Sequence, residues 1–210
     1  MAYGDPIRNH NPNNPWNLNH FRSLPAADNM ARMIYSEARG ETLEGKRGCY
    51  HVVLNRIAVN LAEFGGNTIN GTILHPYQFT GMTTLSAREP NRSTQAWTDS
   101  LDVALNGGAN PIGSCLWFNT NALYNNRSRI RNGREEYSFN GLTYREVVEK
   151  RVLGNHTFFR VSGYGGGGSN PIYRVIVDGT QVGAYSQYPN ILNEISNRIG
   201  TASQIQIQKI

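Results

Sequence analysis

Residues 25–60 read PAADNMARMIYSEARGETLEGKRGCYHVVLNRIAVN, and this stretch decides the fold. After Pro25, the residues Ala27, Ala31, Ile34, Tyr35 and Ala38 recur at helical spacing, and Gly40 ends the pattern. A second helix runs from about Leu43 to Asn60, with Val52, Val53, Ile57 and Leu61 as its apolar stripe. Only Gly40, Glu41 and Thr42 join the two, so they pack as antiparallel neighbours. Working outward, Gly65 to Pro90 is rich in Gly, Thr, Asn and Pro and reads as an ordered loop region of the length that compact domains reserve for function. A third helix spans about Ser93 to Leu105, with Trp97, Leu101, Ala104 and Leu105 on one face. Cys115 to Asn119 is a short β-like apolar segment. Tyr124 to Arg134 is Arg- and Asn-rich and exposed, and Leu142 to Val152 is a further short helix or strand.

Beyond this body, Gly163 to Ser169 is a flexible linker by composition. The run lacks the Gly-Lys-Ser/Thr ending of a phosphate loop. Tyr173 to Val177 and Gln181 to Tyr185 flank Asp178-Gly179, a primed-turn hairpin signal. Pro189 opens a helix with Ile191, Leu192, Ile195 and Ile199 inward, and Gln204 to Ile210 alternates as a final strand. The expected class is α+β. An extended polar segment (1–24) leads into a mainly helical catalytic domain (25–162), followed by a Gly-rich linker (163–170) and a small ββαβ module (171–210).

The chain has 210 residues, of which 39% are hydrophobic, enough for a real buried core. No apolar run approaches the roughly 18 residues of a membrane span. Met1 to Asn14 is polar, without the apolar core of a secretion signal, so neither a membrane protein nor a conventionally secreted one is expected. The net charge is +5, carried by 17 Arg against 3 Lys, and guanidinium forks suit an anionic partner. The bias belongs to the first domain: 17 basic residues face 13 acidic ones before Val161. The stretch Arg127, Arg129, Arg131 and Arg134 has no nucleic-acid fold motif or interleaved aromatic row beside it, so nucleic acid is not the expected partner. Cys49 and Cys115, both in apolar surroundings, read as small core hydrophobes. Five dispersed histidines form no His-Glu-x-x-His pattern, and no Gly-x-Ser-x-Gly elbow occurs. No metal or cofactor is implied, and carboxylates remain as the natural acid or base.

Glu37 sits near the C-terminal end of an otherwise apolar helix, where the helix dipole disfavours an ionised carboxylate. In a cleft walled by apolar groups its pKa would rise, giving the protonated form that a general acid needs. The alternative is an ordinary ion pair with Arg32 or Arg39 on a solvated face. Glu41 is the rival carboxylate, but Gly40 interrupts the helix that would align it with Glu37. Glu41 therefore reads as structural, holding an Arg or capping the second helix. Asp99 and Asp102 read as solvated-face residues.

The run Glu37-Ala38-Arg39-Gly40-Glu41, then Gly45, Val53-Leu54-Asn55-Arg56 and Gln78-Phe79-Thr80, resembles the spore cortex-lytic enzyme family of bacterial cell-wall hydrolases, the SleB/CwlJ type. Leu116-Trp117-Phe118-Asn119 and Gly154-Asn155-His156-Thr157-Phe158-Phe159 are similar to its closing motifs, in the same order. The resemblance implies a lysozyme-like fold and a lytic transglycosylase acting on peptidoglycan glycan strands, with Glu37 as the catalytic acid. It also implies a groove in which Phe79, Trp117 and Phe118 offer platforms to sugar faces while Thr80, Asn119 and His156 hydrogen-bond to the sugars. Trp117 and Phe118 alternate on a strand, so one of them should be core, and His156 has the alternative of a satisfied buried histidine that braces the segment beside Glu37. Asn55 and Arg56 are expected to support the catalytic helix. A hydrolytic muramidase or N-acetylglucosaminidase, a phage lysin among them, and a non-catalytic wall or spore-coat protein are the competing expectations. The family setting places the chain at the wall or spore cortex, reached by non-classical delivery. The C-terminal module lies outside the resemblance and is expected to serve attachment to a wall or spore-coat partner or self-association; Val182 to Ser186 is similar to one corner of the sporulation-related glycan-binding repeat, of which about half the length is present.

Overall fold

Pro25 sets the first helix by supplying an extended residue just before it, and α1 (Ala26–Ala38) follows at once. The structure, a computed structural model, describes residues 2–8, 13–164, 173–178, 180–185 and 204–209. Every residue of α1 from Ala26 to Tyr35 is buried. A helix covered all round lies at the centre of its domain, and its polar residues need partners there. Arg32 and Asp28, four residues apart on one face, form a buried ion pair at 2.9 Å. The Arg32 guanidinium also donates to the carbonyls of Ala87 (2.8 Å), Arg88 (3.1 Å) and Asp5 (2.7 Å). Asp28 accepts the Gly4 amide, and Asn29 donates to the Phe21 carbonyl and to the Asn70 side chain. One helix thereby holds three separate parts of the chain. The N-terminal segment, expected to be an extended polar lead, is strapped onto α1 and lays Ile7, Leu18, Phe21 and Leu24 into the core.

α2 (Leu43–Val59) starts where the Thr42 hydroxyl accepts the Gly45 amide and ends at Asn60 in the left-handed region. The region 65–90, expected as loop, contains two short helices, α3 (Ile69–Ile73) and α4 (Leu85–Arg88), with a 3-10 turn at Thr80–Thr83 between them. Gly, Thr and Asn concealed them because each helix is little more than one turn long. α5 (Gln95–Asn106) is capped by Thr94 and packs Trp97 edge-on to Tyr35 of α1.

The second half is a five-stranded antiparallel sheet built from β1 (Trp117–Thr120), β2 (Ser128–Arg131), β3 (Arg134–Ser138), β4 (Tyr144–Leu153) and β5 (His156–Val161), in the order β1-β5-β4-β3-β2. α6 (Asn121–Arg127) links β1 to β2. The Arg-rich stretch is thus the end of α6 and a hairpin turning at Asn132-Gly133, both with positive φ, and Leu142 to Val152 resolves as strand. Arg129 and Arg134 pair with Glu136 and Glu146, so the expected basic run is partly neutralised. β5 joins the halves: Phe158 enters the helical core, and Phe159 enters a second cluster with Tyr124 and Tyr137.

Beyond these, β6 (Tyr173–Val177), β7 (Thr180–Tyr185) and β8 (Ile205–Lys209) form a three-stranded antiparallel sheet, and β7 runs against α1. The Gly-rich segment from Gly165 and the helix expected from Pro189 lie outside the described residues. The helices and antiparallel sheets place the chain in the α+β class. Among the described residues no helix is long and apolar enough to cross a membrane.

Replacing Arg32 with Met leaves Asp28 buried without its cation, so denaturation by urea should show a loss of about 3–5 kcal/mol in unfolding free energy.

Candidate active site

Glu37 falls in the last turn of α1, just past the buried run. Its carboxylate accepts the Gly81 amide at 2.6 Å. Burial raises its pKa above the ordinary carboxylate value; the Gly81 N–H and then the charge of Arg56 pull the other way without cancelling it. The simple ion-pair alternative falls, because Arg32 is committed to Asp28 and Arg39 lies over the Tyr35 ring. What remains is a carboxyl group that holds its proton longer than a free one, with one donor aimed at it.

The donor is positioned by a tight approach. The 3-10 turn brings the backbone of Gly81 against α1, so that a Cβ there would stand 2.6 Å from Ser36 Oγ and 2.9 Å from Glu37 Oε1. Thr84 Oγ1 donates to the Gly81 carbonyl at 2.6 Å and closes the turn from its other side. Glycine is required here by space.

Arg56 is fully buried on α2. Its Nε donates to the Leu116 carbonyl at 2.7 Å and its Nη1 to Gln78 Oε1 at 3.1 Å. The guanidinium lies 4.9 Å from the Phe79 ring centroid and 5.0 Å from that of Phe64. Desolvation lowers its pKa to about 9, while Glu37 and Glu63 act to raise it, so it stays a cation at neutral pH. Asn55 beside it donates to the carbonyls of Gly113 (2.8 Å) and Cys115 (2.9 Å). These two residues were expected to support the catalytic helix. They tie α2 to the segment entering β1, and only Arg56, through its charge, acts on Glu37.

The remaining expected site residues divide. Phe79 is 2% exposed, packed under Arg56 and toward Phe118, so it offers no open face to a sugar and is corrected to core. Thr80 is exposed beside Gly81. Phe118 is half-buried between His156, at 5.1 Å, and Phe158, at 5.5 Å. Trp117 points to the opposite face of the sheet, among Phe64, Phe139, Phe159 and Tyr164. Neither ring is wholly core, because each strand face is capped by its own aromatic cluster. Asn119 Nδ2 donates to the Tyr137 hydroxyl at 2.7 Å. His156 is 7% exposed; burial lowers its pKa, and its Nδ1 has no hydrogen-bond partner among the described residues.

Glu41 is structural, though not as expected. Among the described residues it pairs with no Arg, and the α2 cap is Thr42. Its carboxylate accepts the Asn155 amide (3.0 Å) and Asn155 Nδ2 (3.1 Å), anchoring the β4–β5 turn to the end of α1. Asp99, expected on a solvated face, pairs with the buried Lys46. Cys49 and Cys115 are buried free thiols, both with pKa values raised by burial, that of Cys115 to about 12. Among the described residues no three carboxylate, imidazole or thiol groups converge on a metal position.

Sequence reasoning missed Gly81 and Tyr77. Tyr77 adopts a φ of +65°, which a bulky residue rarely accepts, and its exposed ring packs on Trp16 at 4.8 Å. The signal for Gly81 was present in its position two residues after Phe79, but nothing local shows that a glycine must meet a helix 44 residues earlier.

A model of the cell wall hydrolase family matches residues 40–159. The match begins at Gly40, so it contains Glu41, Arg56 and Gly81, and Glu37 lies three residues ahead of it. Comparison with curated proteins finds no match. Among solved structures, the chain is similar to the catalytic domain of the germination-specific lytic transglycosylase SleB from Bacillus anthracis, at 23% identity over 64% of this chain and 93% of that one, with a TM-score of 0.42.

Gly81→Ala pushes the turn away from Glu37 and removes the one hydrogen bond that favours the ionised form. Carbon-13 NMR titration of the Glu37 carboxyl should then place its pKa higher than in the parent chain, with circular dichroism unchanged.

Proposed function

The chain belongs to the cell wall hydrolase family, and on that premise we propose that it is a peptidoglycan lytic transglycosylase in which Glu37 is the general acid. The observation that carries the reading is the Glu37 carboxyl, whose pKa burial raises and which a single backbone N–H holds in place. Glu37 gives its proton to the glycosidic oxygen between N-acetylmuramic acid and N-acetylglucosamine as the bond from C1 to that oxygen breaks. The muramic 6-hydroxyl closes on C1, and its proton passes to the carboxylate, which restores the acid. The products are a 1,6-anhydro end and a free 4-hydroxyl, with no net proton consumed. Arg56 is not a proton donor here; its buried charge steadies the carboxylate in the interval between the two transfers.

An intramolecular nucleophile suits a site organised around one carboxyl, whereas hydrolysis by the usual route needs two carboxylates flanking the bond. Thr80, Phe118, Asn119 and His156 are proposed substrate contacts, with Asn119 lying on β1 and His156 on its partner strand β5. The proposed setting is the cell wall or the spore cortex; digestion of cortex carrying muramic lactam beside vegetative sacculi separates the two.

Mass spectrometry of digested peptidoglycan tests the reaction. Anhydro-muramic ends are expected; reducing ends would replace the proposal with a hydrolase, and an unchanged glycan with a binding protein. Glu37→Gln keeps the acceptor for Gly81 and removes the proton, so glycan cleavage should fall by about 10²–10⁴-fold.

Activity should fall as pH rises through the elevated Glu37 pKa. The stability sign is opposite to that of a salt-bridged carboxylate. Because the folded pKa lies above the unfolded one, the parent chain loses stability as pH rises from the ordinary carboxylate value through the elevated one. Glu37→Gln lacks this loss. Its melting temperature should match the parent in acid and exceed it at alkaline pH, read by thermal scans across the range.

A further inference from the structure

Two cavities of ligand size open on the described surface. One, of about 450 Å³ between Arg22, Pro25, Asn70 and Val177, has a single charged group and no aromatic ring on its walls. The other, of about 380 Å³, is walled by Trp117, Phe139 and Tyr164 and carries Glu63 and Arg145. Trp117 is the shared wall, meeting Tyr164 edge-on at 4.6 Å and Phe139 at 5.0 Å.

The charges in the second cavity are the informative part. The Tyr164 hydroxyl donates to Glu63 Oε2 at 3.1 Å, and the Arg145 guanidinium stands 5.3 Å from the Tyr164 ring centroid. Glu63 and Arg145 therefore flank one ring, yet among the described residues they form no ion pair with each other, and Arg145 has no carboxylate partner. A neutral sugar seated here would cover both charges without neutralising either, which is costly. A group bearing an ammonium and a carboxylate would satisfy both poles while its carbon skeleton lies on the rings.

The cavity also has a defined relation to the Glu37 corner. Gln78 donates to the Glu63 carbonyl at 2.8 Å and accepts from Arg56, and Phe64 lies between Trp117 and the Arg56 guanidinium. The cavity is thus a neighbour of the acid, separated from it by the Arg56 layer. In peptidoglycan the peptide stem is attached to the muramic residue, off the glycan axis but adjoining the scissile bond.

We propose that the cavity walled by Trp117, Phe139 and Tyr164 is a subsite for the uncross-linked peptide stem of peptidoglycan, taking a zwitterionic centre with its carboxylate on Arg145 and its ammonium on Glu63. The assignment rests on the wall-degrading reading of the chain and adds that substrate choice depends on the stem as well as the glycan.

Isothermal titration of the full wild-type chain tests it. The probes are N-acetylmuramoyl-tripeptide ending in meso-diaminopimelate, which has no glycosidic bond to cleave, and a peptide-free N-acetylglucosamine tetramer. The tripeptide should bind tighter than the tetramer. Arg145→Gln and Glu63→Gln should each weaken it by at least about tenfold, with Arg145→Lys between, and all three should keep the parent circular dichroism because both side chains are exposed. N-acetylating the free amine of the tripeptide should reduce wild-type binding and abolish the further effect of Glu63→Gln. Tripeptide binding no tighter than the tetramer, or folded variants that bind it as well as the parent, would overturn the subsite. Glycan cleavage measured on the same wild-type preparation reads the other proposal separately: cleavage without stem selectivity sinks the subsite alone, and stem binding without cleavage leaves the subsite standing and removes the transglycosylase.

Discussion

The buried guanidinium of Arg56 is the constraint on which the two halves of this molecule meet. A cation buried this deeply must be solvated by the protein, and the five N–H groups of arginine dictate where acceptors have to stand. Here they recruit the Leu116 carbonyl from the strand side and Gln78 from the loop side, while two rings, of Phe64 and Phe79, close over the planar faces. α2, the loop leading to Gly81 and the entry to β1 converge because one side chain needs all of them. The same charge then reaches Glu37 on one side and Glu63 on the other.

Around that hub the candidate site is a balance between burial and contact. The central position of α1 forces Glu37, at its end, into a half-closed corner, where burial raises the pKa of the carboxyl. The Gly81 amide and the Arg56 charge act to lower that pKa, favouring the ionised form that the proposed acid passes through when it gives and retakes a proton. Glu41, just beyond the end of α1, shows the contrast: partly exposed and bonded to Asn155, it has a plain structural task.

Much of this was legible in the sequence. The 3.6-residue rhythm from Ala27 to Ala38, the stop at Gly40 and the second run to Asn60 located α1 and α2 because helical periodicity is a local property. Glu37 was marked by its place at a helix end and by the Glu-Ala-Arg-Gly-Glu motif. Other readings failed where local chemistry was misleading. Phe79 looked like a platform because it adjoins polar residues, yet the arginine 23 positions earlier covers it. Tyr124 to Arg134 is largely exposed, as its arginines suggested, but its hairpin went unread although Asn132-Gly133 carried the signal.

The helical framework and the α+β class follow from the sequence alone, which also singles out Glu37 as the proposed acid, since spacing, capping and helix position are set by residues near one another. Tertiary structure alone decided that the Gly81 amide faces Glu37, that Glu41 clamps a turn more than a hundred residues away, and that Glu63 and Tyr164 share a cavity with Arg145. Those relations depend on the three-dimensional packing of α1, α2 and β5. The reason is physical: desolvation and hydrogen-bond reach act over a few ångströms of space, whatever the separation along the chain.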